Sequence, residues 1–99
     1  MIILMGHVQV GASDAARFLS DVQALARATW AREGCLFYSV AMEDAAAGRM
    51  LIVERWRDQA SLTAHLEALN TVAFVDRWSS RMVGSVLKFD AAHERSLMD

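Results

Sequence analysis

The sequence contains no proline, one cysteine and one lysine among its 99 residues. The single cysteine, Cys35, excludes an intrachain disulfide framework and an all-cysteine zinc site. Neither sign of charge is in clear excess, because 10 basic residues and 12 acidic residues leave a net charge of −2. No basic stripe is available to neutralise phosphates, so we expect no nucleic-acid partner.

Apolar runs long enough to cross a membrane are lacking as well. The N-terminal run Met1–Met5 is far too short for a signal peptide or a membrane span, and no basic residue precedes it. Together with the lone unpaired cysteine, this predicts a cytoplasmic protein with no membrane partner.

Apolar residues are abundant overall. They make up 55% of the chain, charged residues only 22%, and the mean hydropathy is +0.21. These values exclude an intrinsically disordered protein. The length predicts one domain over residues 1–99, with 91–99 as a C-terminal tail. Since a chain this short buries roughly 60–70% of its unfolded surface, a monomer would expose much apolar surface, which indicates a partner subunit.

Four segments have the composition of β-strands, and glycines or short polar stretches separate them. We predict strands at residues 2–10, 35–42, 49–57 and 84–90, with a hairpin turn at 43–48 between the second and the third.

In the two longer segments between these strands, apolar residues recur at helical spacing. Ser13 or Asp14 is predicted to cap the first helix, which ends at Gly34 in a left-handed conformation. Asp58 is predicted to cap a second helix, which is interrupted at residues 70–71. The first helix and the continuation of the second each carry an apolar stripe. The stripes are Phe18, Val22, Leu25 and Thr29, and Val72, Val75, Trp78 and Met82.

The element order is therefore β-α-β-β-α-β, the ferredoxin-like α+β fold with an antiparallel sheet. Helices cover only one face of such a sheet, so its other face should be polar. Instead, both sides of the second strand are apolar, since Tyr38 and Val40 alternate with Phe37 and Ala41. We therefore predict a homodimer in which the open sheet faces of two subunits pack together.

Two motifs resemble those of a known family. Residues 33–38, Glu-Gly-Cys-Leu-Phe-Tyr, resemble the E-G-C-x-x-Y signature of the antibiotic biosynthesis monooxygenase family. Glu54–Asp58 followed by Leu62–Leu66 is similar to the family's E-x-W…L-x-x-H motif. The resemblance covers residues 1–90 and implies a dimeric α+β barrel with a small-molecule pocket in each subunit. It also implies oxidation of quinols, anthrones and related phenolics with O₂, without metal or flavin.

His65 is the first candidate for a catalytic residue. It lies beside the apolar stripe of its helix, and a neutral imidazole can take a proton from a phenol. The alternative is a structural histidine bonded to the backbone or to Glu54. The family motif adds support to the catalytic role, and both roles stay open at this point.

Five further residues are candidates for substrate binding, each with a structural alternative. Tyr38 hydrogen-bonds either a substrate oxygen or a backbone partner. His7 either lines a cavity or lies at a wetter edge of the sheet. The remaining three are aromatic residues that either stack on a planar substrate or fill the core, namely Trp56, Phe74 and Trp78.

A metal site is not indicated by the histidines. His7, His65 and His93 lie far apart in the sequence and show no ligand spacing, so we expect no metal.

Two adjacent charged residues, Glu54 and Arg55, lie inside an apolar strand, so one of them must point into a buried layer. Because a lone buried charge is costly, we expect a cross-subunit or cross-strand ion pair, with Arg49, Arg57 or Lys88 among the candidate partners. The alternative is that Arg55 binds an anionic substrate.

The function predicted from these observations is a homodimeric, cofactor-free monooxygenase. It would oxidise a small electron-rich aromatic compound or quinol with O₂, with His65 as the base. The alternatives are a cofactor-free isomerase or tautomerase that uses the same base, and a non-catalytic ligand-binding dimer.

Overall fold

The computed structural model describes all residues, Met1–Asp99, and contains four strands and three α-helices. A short 3-10 turn, Ala12–Asp14, precedes the first helix, and residues 91–99 form neither helix nor strand. In chain order the elements are β1 Ile2–Val10, α1 Ala15–Thr29, β2 Cys35–Asp44, β3 Arg49–Trp56, α2 Gln59–Glu67, α3 Leu69–Trp78 and β4 Met82–Asp90.

The strands form one antiparallel sheet in the order β2-β3-β1-β4. This arrangement confirms the predicted ferredoxin-like α+β fold, with the second helix divided into α2 and α3. The predicted start and end of β1 are also confirmed, whereas β4 begins two residues earlier than expected, at Met82.

The helices pack on one face of the sheet only, and this face holds the core. On α1 the inward residues follow helical spacing, as the sequence predicts. Side chains that alternate with the core residues along each strand therefore lie on the opposite, open face. The largest fully buried side chains are Trp56, Trp78, Phe18, Met50, Leu62 and Thr29.

The open face is apolar, in agreement with the prediction that both sides of the strands carry apolar residues. One cross-strand row on it runs Ser39, Val53, Met5 and Leu87. Met5 is 48% exposed and Leu87 63% exposed.

The first helix differs from the prediction at both ends. It ends at Thr29 rather than at Gly34, because the Arg32 amide donates to the Thr29 carbonyl and turns the chain. Asp14 precedes the helix as predicted, but its side chain caps no amide. Its backbone is already helical, and its carboxylate lies 3.6 Å from the Arg81 guanidinium instead.

The break between α2 and α3 falls at Ala68, two residues before the predicted position. Ala68 adopts an extended conformation, and its amide donates to the His65 carbonyl. Restarting the helix at Leu69 turns α3 so that Thr71 and Trp78 are buried. Of the predicted stripe of residues 72, 75, 78 and 82, only Trp78 is buried on α3, since Val72 and Val75 are exposed and residue 82 belongs to β4.

The start of α2 behaves as predicted. The Asp58 carboxylate accepts a hydrogen bond of 2.8 Å from the Ser61 amide, which caps the helix. None of the three helices is long and apolar enough to cross a membrane.

Gly34 lies immediately before β2 and packs against the first turn of α2. Its φ of +82° lies in the left-handed region, and a Cβ at this position would collide with the Ser61 side chain. Its carbonyl also accepts a hydrogen bond of 2.8 Å from the Arg57 amide. Glycine at this position therefore allows α2, which carries His65, to lie close against the sheet.

We predict that Gly34→Ala lowers the free energy of unfolding by about 2 kcal/mol or more, because the added methyl group meets both backbone strain and Ser61. Urea denaturation of the purified protein measures this loss. The matched control is Gly11→Ala, since Gly11 has a φ of −58° and open space around it. Equal stability of the two variants would contradict the role assigned to Gly34.

Candidate functional site

A cavity of about 150 Å³ lies between the covered face of the sheet and the three helices. Its lining is largely apolar, and three of its residues can titrate: Tyr38, Glu54 and His65. The other lining residues are Val8, Phe18, Val22, Leu25, Val40, Ile52, Leu66, Thr71, Phe74, Val75 and Met82.

Strand pairing brings two of the titratable residues together. Tyr38 on β2 and Glu54 on β3 are direct cross-strand partners on the covered face. His65 extends from α2 toward them, and its ring centroid lies 5.6 Å from that of Tyr38 in an edge-on arrangement. Two strands and one helix therefore place a phenol, a carboxyl group and an imidazole around one space.

The His65 ring is held between Trp56 and Thr71. Its ring stacks on the Trp56 indole, with centroids 4.8 Å apart and planes 26° from parallel. Its Nδ1 lies 3.4 Å from the Thr71 hydroxyl, whereas Nε2 has no hydrogen-bond partner within the protein. The ring is therefore fixed through one nitrogen and one face, and the second nitrogen is free for a ligand.

The surroundings of His65 favour its neutral form. The residue is 2% exposed, and this burial lowers its pKa to about 4, with a smaller contribution from the Arg32 guanidinium. The imidazole is therefore neutral at pH 7, and the tautomer whose Nδ1–H donates to the Thr71 hydroxyl can accept a proton at Nε2.

Glu54 is a buried carboxyl group without a cationic partner. It is 6% exposed, and burial raises its pKa, while a hydrogen bond of 3.0 Å from the Trp56 indole N–H to Oε1 opposes this increase. The same indole therefore contacts both His65 and Glu54.

The ion pair predicted for the buried member of the Glu54–Arg55 pair does not form. Arg55 lies on the open face, 3.4 Å from Glu94, and Glu54 faces the cavity. Each predicted cation has another partner: Arg49 binds Glu43 and Asp44, Arg57 binds Glu33 and Asp58, and Lys88 binds Gln59.

Tyr38 contributes a hydroxyl group that has no hydrogen-bond partner in the protein. The side chain is 6% exposed, and burial together with the neighbouring Glu54 raises its pKa well above the ordinary value. The hydroxyl therefore stays protonated and can donate a hydrogen bond.

The free polar atoms of these three residues are open to the cavity. Arg32 Nε is the only buried side-chain nitrogen or oxygen that is both enclosed and unpaired. The Tyr38 hydroxyl, one Glu54 oxygen and His65 Nε2 are thus unpaired yet not sealed off by protein. Since unpaired buried polar groups are costly, this arrangement is typical of a ligand-binding site rather than of a plain core.

The structure separates the predicted site residues into three groups. Tyr38, His65 and Phe74 line the cavity. Trp56 and Trp78 are fully buried behind it, where Trp56 supports His65 and Trp78 packs edge-on against Phe18.

The sixth predicted site residue, His7, lies elsewhere. It is on the open face of the sheet, where its Nε2 is 2.8 Å from a Glu43 carboxylate oxygen. It does not line the cavity, so the cavity is formed without it.

Sequence reasoning did not assign Glu54 or Thr71 to the site. Strand alternation could have identified Glu54, because Glu54 lies two residues before Trp56 and therefore on the same side of β3. Nothing local identifies Thr71, which is turned inward by the break at Ala68.

No other part of the chain gathers comparable chemistry. No group of three or more His, Cys, Asp or Glu side chains is close enough together to hold a metal ion. The largest other depression, about 410 Å³, is an open groove along β2 that contains no histidine or carboxylate.

Comparison with known proteins gives consistent results. Residues 1–77 match the family model described as antibiotic biosynthesis monooxygenase. The Bacillus subtilis (strain 168) protein named "Putative monooxygenase YcnE" is 28% identical over 75 residues, which are 76% of this chain and 79% of that protein.

Solved structures are similar over nearly the whole chain. A Deinococcus radiodurans crystal structure has a TM-score of 0.87 at 24% identity, with 100% of both chains covered. Rv0793 from Mycobacterium tuberculosis has a TM-score of 0.78 at 19% identity, covering 97% of this chain and 100% of that one. At these identities the similarity shows the fold.

We predict that the His65 ring titrates near pH 4, well below the ordinary value of about 6.5. Between these pH values the unfolded chain binds a proton that the folded ring does not bind. Protonation of His65 therefore lowers the free energy of unfolding by roughly 3 kcal/mol as the pH falls from 6.5 to 4. Above pH 6.5 this group does not change the stability. NMR titration of the ring nitrogens measures the pKa, and His65→Gln should remove this part of the acid sensitivity. A ring that titrates near pH 6.5 would contradict the prediction.

Proposed function

This chain belongs to the antibiotic biosynthesis monooxygenase family, and we propose that it oxidises a small electron-rich phenol or quinol with O₂. His65 acts as the base, and no prosthetic group takes part. The observation that carries the proposal is the free Nε2 of a neutral imidazole beside two more unpaired polar groups in an apolar cavity.

The low pKa of His65 is compatible with a role as the base. A phenol with a pKa of about 10 would transfer its proton to an imidazole of pKa about 4 at a cost of roughly 8 kcal/mol. Turnover at about 10 per second corresponds to a barrier of roughly 16 kcal/mol. The transfer therefore fits within an ordinary catalytic barrier, and attraction between phenolate and imidazolium in the largely apolar cavity lowers its cost further.

The proposed reaction balances without an external reductant. His65 takes the hydroxyl proton, and the electron-rich anion that results is the species that reduces O₂. A hydroquinone and O₂ then give a hydroxyquinone and water, since one oxygen atom enters the ring and the other leaves as water. The substrate supplies all the electrons, which is why the proposal names no cofactor.

The other residues bind and position the substrate in this proposal. Tyr38 donates a hydrogen bond to a substrate oxygen, and Glu54 accepts one from a second hydroxyl group. Phe74 contacts the face or edge of the aromatic ring. Trp56 holds His65 and Glu54 in place, and Trp78 supports the apolar wall from behind.

The proposal also includes a homodimer formed by the open sheet faces, with residues 1–99 as one domain in each subunit. Support comes from the apolar side chains exposed there, among which Phe37 and Phe89 are each 45% exposed and Leu87 is 63% exposed. Several large apolar side chains exposed on one face are typical of an interaction surface. Pairing two identical faces buries both at once.

An isomerase or tautomerase is the second candidate, because His65 and Glu54 form an acid–base pair in one cavity. Burial favours the uncharged form of each group, so the imidazole can accept a proton while the carboxyl group donates one. Such a reaction moves a proton between two substrate atoms and consumes no O₂.

We predict that His65→Gln lowers the rate of O₂ consumption with hydroquinone or catechol by about 100-fold or more, the typical contribution of a general base. An oxygen electrode measures the rate, and circular dichroism verifies the fold of the variant. The matched control is His93→Asn, which replaces an exposed histidine of the tail that has a φ of 59°.

The outcomes separate the three functions. Unchanged O₂ consumption in His65→Gln would overturn the role of His65 as base. Substrate conversion by the wild type under nitrogen would favour the isomerase. Ligand binding without any conversion would favour a non-catalytic binding protein.

We predict that Leu87→Arg converts the dimer to a monomer, because it places a charge within the proposed face-to-face contact. Sedimentation equilibrium should give twice 11.0 kDa for the wild type and 11.0 kDa for the variant. The control is Leu69→Arg, at a leucine on α3 that is 89% exposed and lies outside the sheet. A wild type that sediments as a monomer would contradict this part of the proposal.

A further inference from the structure

We infer that the cavity selects substrates with a single aromatic ring and excludes those with fused rings. This inference rests on the proposed function and defines its substrate class. It follows from the volume of the cavity, the aromatic residues that close one side of it, and the placement of its polar groups.

The volume fits one ring. The cavity measures about 150 Å³, which is close to the roughly 150 Å³ of an engineered apolar cavity that holds benzene. Pockets that hold larger organic ligands are typically about 300 Å³ or more. A phenol or hydroquinone fills the space, whereas a second fused ring requires additional volume.

A packed aromatic cluster resists enlargement of the cavity on the α1–α3 side. Phe18 is 2% exposed, with its ring centroid 5.5 Å from Phe74 and 5.1 Å from Trp78. Trp78 is fully buried, and its indole N–H donates a hydrogen bond of 3.0 Å to Asp21. Moving Phe18 outward would therefore displace a tryptophan that is fixed by both packing and a hydrogen bond.

The lining also sets where ring substituents can extend. The polar groups belong to the Tyr38–Glu54 strand pair and to His65, so the ring hydroxyls bind on that side. Leu66 and Val75 line the cavity and are also 53% and 42% exposed, which locates its opening between α2 and α3. A flexible substituent can leave through this opening, but a rigid fused ring must be accommodated inside.

The experiment compares two phenols that differ by one fused ring, 4-methylphenol and 2-naphthol. Isothermal titration calorimetry under nitrogen measures the dissociation constants without turnover. Because 2-naphthol is the more apolar ligand, an unselective apolar site would bind it more tightly. We expect the wild type to bind 4-methylphenol at least tenfold more tightly than 2-naphthol, and Tyr38→Phe to weaken the binding of 4-methylphenol.

Enlarging the cavity should remove the selectivity. We expect Phe74→Ala to improve 2-naphthol binding at least tenfold, and Phe74→Leu to improve it less while keeping more of the packing. The control is Val72→Ala on the same helix, since Val72 does not line the cavity and is 41% exposed. Circular dichroism confirms that each variant is folded.

The results distinguish failure of this inference from failure of the proposed function. Equal or tighter binding of 2-naphthol by the wild type would overturn the single-ring inference, even if O₂ consumption with hydroquinone is observed. Absence of binding by both phenols would also overturn it. Selective binding of 4-methylphenol without any O₂ consumption would support the size inference and contradict the oxygenase.

Discussion

The contact of the Trp56 indole with His65 and Glu54 determines the chemistry of the cavity. The indole is fully buried, stacks on the imidazole and donates its N–H to the carboxyl group. It therefore fixes the orientation of the two titratable groups without placing a charged group beside either. Burial then lowers the pKa of His65 and raises that of Glu54, so that both shifts favour the uncharged forms. A cation beside Glu54 would instead have lowered the pKa of the carboxyl group by stabilising the carboxylate.

Strand alternation assigns neighbouring residues to different tasks. Glu54 faces the cavity and Arg55, one residue later, faces the open side of the sheet. Tyr38 and Phe37 are divided in the same way. A shift of one residue in the pairing of β3 would place the carboxyl group on the open face and remove it from the site. The register of β3 is therefore as important for the site as the identity of its residues.

Much of the fold could be predicted from the sequence, because strand alternation, the Asp58 cap and the helical spacing of α1 are local signals. The family motif identified His65 and Tyr38, and both line the cavity. The errors arose where distant residues decide the outcome. The sequence offers three cations as ion-pair partners, but each of them has another partner in space. Likewise, Thr71 faces inward only because the chain breaks at Ala68, which depends on tertiary contacts.

The cavity and the open face of the sheet are linked through stability. A cavity of about 150 Å³ gives up the packing contacts that side chains filling the same space would make, and each polar group buried without a protein partner costs about 1–3 kcal/mol. Small domains have only about 5–15 kcal/mol of stability in total, so these costs are large for a chain of 99 residues. Burial of the exposed apolar face in the proposed dimer would offset them, since subunit association stabilises the folded state by mass action. The covered face of the sheet would then hold the binding site, and burial of apolar side chains on the open face would provide the stability that this site requires.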